Sequence, residues 1–116
     1  MRIALFTLAA VAAATPLAAG AQDRTGYSQI AAGDLATAER TLVAERRIFP
    51  QRPELLLNLA AVYQRTGRLE QARALYDMVL TQPDVAMDVP ADRTAGSHDI
   101  ARNGLRHLAG VQMSSR

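Results

Sequence analysis

The chain has 116 residues, of which 49% are hydrophobic and 21% charged, and its 13 Arg against 11 acids leave a formal net charge of +2. It has no Cys, which excludes disulfide staples, lipid attachment at a cysteine and thiolate metal sites. The Arg residues are interleaved with Asp and Glu and only 4% of residues are aromatic, so the unbalanced basic face of a nucleic-acid binder is not expected.

Residues 1–21 read as a secretory signal peptide. Met1-Arg2 is a short positive start, residues 3–14 are apolar apart from Thr7, and Ala19-Gly20-Ala21 ends the segment with small side chains. Those are the three parts of an export signal, and cleavage is expected between Ala21 and Gln22. The apolar run is shorter than the roughly 20 residues a spanning helix needs, so no membrane span is expected after cleavage. Removing 21 of the 116 residues and Arg2 with them leaves 95 residues with 12 Arg and 11 acids. The mature domain is therefore nearly neutral, and the setting implied is the periplasm or the exterior.

The mature chain repeats itself. Residues 33–42, GDLATAERTL, return in outline 34 residues later as GRLEQARALY. Gly33 falls on Gly67, Leu35 on Leu69, Ala38 on Ala72 and Leu42 on Tyr76. Leu, Ala and a large apolar residue at i, i+3 and i+7 make one helical stripe. Gly in front suits a turn with positive φ, and Pro50 and Pro83 behind each stripe stop the helix. Ahead of the second Gly, residues 53–67 predict a strong helix, with Pro53 and Glu54 in its first turn and Leu56, Leu59, Ala60 and Tyr63 along one face. Ahead of the first Gly the front helix is shorter, about 24–32, with Tyr27 and Ile30 as its large residues. The prediction is an all-α chain of two helical hairpins, about 24–52 and 53–86.

Residues 82–96, QPDVAMDVPADRTAG, break the pattern with two Pro, three Asp and a Gly. A mobile connector is expected there, with a binding loop as the alternative, and there is room for a short extended piece where Val85, Met87 and Val89 alternate. Residues 97–110 resume a helix. Ser97 is placed as its N-cap and Asp99 in its first turn. Ile100, Ala101, Gly104, Leu105 and Leu108 share one side, and Asp99, Arg102, Asn103 and Arg106 the other. That helix is expected to cap the end of the array, with 111–116 as a frayed tail, so the helical domain runs from 22 to 110.

These residues resemble the tetratricopeptide repeat. Unit two supplies Leu59, Ala60, Tyr63, Gly67, Ala72, Tyr76, Val79 and Pro83 over about 53–86, with Pro83 one place early. Unit one is partial over about 19–52. It keeps Gly33, Ala38, Leu42 and Pro50 but has Glu45 where a small residue is usual. The resemblance implies a concave groove, lined by the first helix of each unit, that takes a peptide. Carried over position by position, the groove residues are Tyr27 and Ile30 from unit one and Leu57, Asn58, Ala61, Gln64 and Arg65 from unit two. Leu57 lies just off the core stripe, either as a second packing contact or as an exposed anchor. Asn58 matches one Asn of the family's carboxylate clamp, but Asp23 and Tyr27 depart from it, so Asn58 is read as a local hydrogen-bonder.

Chemistry is scarce. Ser97, His98 and Asp99 are consecutive at a helix start and point apart, so they do not make a catalytic triad. His98 and His107 lie on opposite sides of that helix and do not share a metal. No catalytic residue, cofactor or metal is expected. The reading is a non-enzymatic adaptor or scaffold of the cell envelope with a protein or peptide partner. The alternative is a self-associating structural subunit, a homo-dimer in the simplest case.

Overall fold

The computed structural model describes residues 25–89 and 93–114; the expected signal peptide, 1–21, lies outside them. Along the chain run helices α1 (Tyr27–Ala31), α2 (Leu35–Ile48), α3 (Pro53–Arg65) and α4 (Leu69–Leu80), strands β1 (Ala86–Val89) and β2 (Arg93–Gly96), and helix α5 (Ser97–Ser114). The front helix of unit one is thus five residues long, shorter than the predicted 24–32.

Both hairpins turn at the predicted glycines. Gly33 has φ 82° and Gly67 φ 80°, the left-handed region that a Cβ disfavours. Neither would meet another atom if a Cβ were added, so backbone conformation alone selects glycine there. Asp34 caps α2 by accepting from the Thr37 N–H at 3.3 Å, and Pro53 opens α3 in its first turn.

The helices pack in sequence, α1 on α2, α2 on α3, α3 on α4 and α4 on α5, with α5 also reaching α3. Ala38, Ala60 and Ala72 are completely buried, because a small side chain at each contact lets neighbouring backbones approach closely. Leu42, Tyr76 and Val79 fill the space beside them. α3 is the centre of the array. Leu55, Leu56, Leu57, Leu59, Ala60 and Val62 are all buried, as expected of a helix that is apolar around most of its circumference.

The segment expected as a connector is ordered into an antiparallel hairpin that pairs Ala86 with Gly96, Met87 with Ala95, Asp88 with Thr94 and Val89 with Arg93. Met87 is its buried residue and joins the helical core. Its base is held by a knot of bonds. The Ser97 N–H donates to the Val85 carbonyl at 2.8 Å, and the Val85 N–H donates to Ser97 Oγ at 3.0 Å. His98 Nε2 meets the Gln82 carbonyl at 2.6 Å.

α5 covers the last hairpin as predicted. Ala101 and Leu108 are fully buried, and Ile100 and Leu105 pack against the core. Asp99, Arg102, Asn103 and Arg106 face outward. The helix continues to Ser114, so 111–114 is helical rather than tail. Its N-terminus is not capped by Ser97, which is buried and occupied by Val85. The cap is Asp84, whose Oδ1 accepts from the His98 N–H at 3.0 Å and from the Ser97 hydroxyl at 3.4 Å. Among the described residues no helix is long and apolar enough to cross a membrane.

Candidate peptide-binding groove

A cavity of about 380 Å³ opens at the front of the array, lined by Thr25, Tyr27, Glu54, Asn58, Met87, Asp88 and Val89. Tyr27 and Asn58 are the predicted groove residues that the fold brings together here. Tyr27 projects from α1 and is 54% exposed. Asn58 sits on α3 and donates through Nδ2 to the Thr25 carbonyl at 2.8 Å. That bond ties the entry of α1 to α3 across 33 positions of the chain, so Asn58 bonds between the two units rather than locally.

The other predicted lining residues are engaged elsewhere. Leu57 is only 5% exposed, so burial decides for the packing contact and against the exposed anchor. Its place off the main stripe leaves it buried because α3 has neighbours on more than one side. Ile30 is partly buried against the core, and Ala61 is half-buried. Gln64 Oε1 accepts from the Tyr76 hydroxyl at 2.8 Å. Arg65 Nη1 donates to the Ile30 carbonyl at 3.3 Å, near the end of α1. Gln64 thus ties α3 to α4 within unit two, and Arg65 ties unit two to unit one.

Thr25, Glu54, Met87, Asp88 and Val89 line the cavity without having been predicted as groove residues. Glu54 lies four residues before Asn58 and so on the same helical face, which is a signal present in the sequence. The three hairpin residues carry none, because only the tertiary seating of β1 brings them to the groove.

Electrostatics around the groove are local. Arg68 and Glu39 form a paired bridge between unit two and α2, with Arg68 Nη1 to Glu39 Oε2 at 3.0 Å. Arg68 also lies over the Tyr63 ring, 4.6 Å from its centroid. Its hydrogen bonds to Glu39 hold that carboxyl below the ordinary range. The Thr37 hydroxyl and N–H do the same for Asp34. Asp84 is lowered chiefly by the His98 N–H, then by the charges of His98 and Arg102 and the Ser97 hydroxyl. A carboxyl depressed in the folded state contributes stability that is complete above its unfolded value, about 3.9 for Asp, and is lost as pH falls through the folded one. The melting temperature should therefore drop below about pH 4, and Asp84→Asn should flatten part of that drop. Thermal melts of both proteins across the acid range check this; an unchanged pH profile in Asp84→Asn would show that the cap does not couple to folding.

A profile of the tetratricopeptide repeat family matches residues 29–84, from within α1 to the residue that caps α5. Comparison with curated proteins and with solved structures finds no match. Tetratricopeptide repeats mediate protein–protein interaction and are typically non-catalytic. The helix-turn-helix units, the buried alanines at their contacts and the two left-handed glycines lie within the matched residues, and through them residues 29–84 belong to the tetratricopeptide repeat family.

Proposed function

We propose that this protein is an exported, non-enzymatic adaptor that binds a peptide segment of a cell-envelope partner in the groove between α1, α3 and β1. The observation that carries the reading is Tyr27. It is a large aromatic residue more than half exposed at the mouth of a formed cavity. An aromatic in that position supplies apolar area at low cost in side-chain freedom, and such residues dominate interface energetics. The test is capture of envelope proteins by the immobilised chain. Tyr27→Ala should weaken capture, since losing one anchor commonly costs about 2 kcal/mol or more. Arg102→Ala and Arg106→Ala, on the outer side of α5, should leave it unchanged. The reverse pattern would move the site to the terminal helix.

Export rests on residues 1–21 alone. N-terminal sequencing of protein recovered from a Gram-negative host should begin at Gln22, and a product beginning at Met1 would overturn the compartment. Self-association is the second reading, favoured by the five-residue α1 and by Ile48, which is 63% exposed at the end of α2. Sedimentation over a range of concentrations separates the two: a monomer supports the adaptor and a concentration-dependent dimer supports the subunit.

A further inference from the structure

The groove has a wall that two helical hairpins alone do not provide. Met87, Asp88 and Val89 are consecutive on β1, and all three border the cavity. Successive side chains of a strand point to opposite faces. Three consecutive residues border a cavity most simply where it runs along an edge of the strand, at which main-chain atoms of each are presented. One edge of β1 is taken by β2 in a two-stranded sheet, so the edge at the groove is the unpaired one. Among the described residues no backbone bond outside the ladder reaches Ala86–Val89. Free N–H and C=O groups on such an edge are a template for another strand, and adding a peptide strand to an exposed edge is a general mode of recognition.

The lining also has a sign. Glu54, in the first turn of α3, and Asp88, on β1, are both acidic, and among the described residues no Arg or His lines the cavity. Neither carboxylate belongs to an ion pair among the described residues. The exposed Tyr27 ring stands at the same mouth, and an aromatic face attracts a cation.

We propose that the groove takes an extended, strand-forming peptide that carries an Arg or Lys side chain. Its main chain pairs with the free edge of β1, and its cation is held by Glu54 and Asp88 beside Tyr27. This rests on the groove reading above and adds the chemistry of the partner. Backbone pairing supplies sequence-tolerant affinity, and the carboxylates select the charge at one position. Side chains on alternate positions of the added strand point away from the cavity and are left unspecified.

The test uses the full chain and fluorescein-labelled peptides of alternating Thr and Val with a central Arg, Glu or norleucine. The Arg peptide should bind about tenfold more tightly than the Glu peptide, a difference of about 1.4 kcal/mol. That preference should shrink as added salt screens the exposed charges. In the double variant Glu54→Gln and Asp88→Asn, the advantage of Arg over norleucine should fall by about three- to tenfold, the sum expected of two solvent-exposed pairs. N-methylation of alternate amides on the pairing edge of the Arg peptide should abolish binding. Equal binding of the Arg and Glu peptides, or of the methylated and unmethylated ones, overturns the proposal. If all peptides bind alike and Tyr27→Ala abolishes them, the groove reading stands and the cationic strand falls. Binding of no peptide, together with a dimer that Asp88→Asn dissociates, overturns it in favour of a second copy of the chain as the occupant.

Discussion

Gly104→Ala should destabilise the protein by about 2 kcal/mol, within the usual range for overpacking a well-filled contact, although helix propensity predicts the opposite sign. Ala is better than Gly inside a helix by about 0.5–1 kcal/mol. Gly104 lies inside α5, yet its missing side chain is occupied by another residue. A Cβ there would lie 2.6 Å from both ring Cε atoms of Tyr76, and closer still to Cζ. The ring has little freedom to move aside. It is 4% exposed, and its hydroxyl is anchored on Gln64 Oε1 of α3. Burial also raises the phenol above its usual range, so it stays a neutral donor in that bond. The remaining response is for α5 to lift from α4, which loosens the cap on the array. For a domain of about 100 residues, each kcal/mol shifts the midpoint by roughly 4–8 °C, so the melt should fall by about 10 °C. Gly110→Ala is the matched control. It lies in the same helix with nothing within 4 Å of an added Cβ, and should raise the melting temperature slightly. Tyr76→Leu combined with Gly104→Ala should be less damaging than the two single effects added together, because contacting residues are not additive. A Gly104→Ala melt as high as that of Gly110→Ala would show that α5 does not seat on Tyr76.

Leu57→Ala should cost about 2–5 kcal/mol of stability, the range for truncating a buried leucine. Domain stabilities commonly total about 5–15 kcal/mol, so the variant approaches general unfolding. Leu57 is nearly as buried as Leu56 and Leu59 on the same helix, and belongs to the same cluster as Val62, Leu75 and Met87. Loss of partner capture by Leu57→Ala would therefore report a lost core. Leu57→Met, which keeps the volume, should cost less than about 1.5 kcal/mol. Tyr27→Ala, at an exposed position, should change the melt by no more than about 0.5 kcal/mol. Chemical denaturation of the three variants distinguishes the roles. A Leu57→Ala protein as stable as Tyr27→Ala would return Leu57 to the surface of the groove.

The sequence by itself determined the features that depend on short stretches of chain. The spacing of Gly33 and Gly67 places the two turns because each needs a left-handed residue, whatever surrounds it. The stripe of Leu, Ala and a large residue orients α2 and α4, and the pattern around Ala101, Gly104 and Leu108 orients α5, because helical periodicity depends on neighbours three and four residues away. Only the tertiary structure decided what faces the groove. A helical projection marks one apolar stripe, but α3 is covered on more than one side, so Leu55, Leu57 and Val62 are buried along with it. Gln64 and Arg65 look like groove donors in sequence and are spent on Tyr76 and on the end of α1. Asp84 caps a helix by reaching the N–H of its second residue, His98, 14 residues later in the chain. β1 comes to the groove only because Met87 enters the core and Ser97 holds the base of the hairpin. Each of these outcomes depends on groups far apart in sequence, where neither periodicity nor spacing carries information.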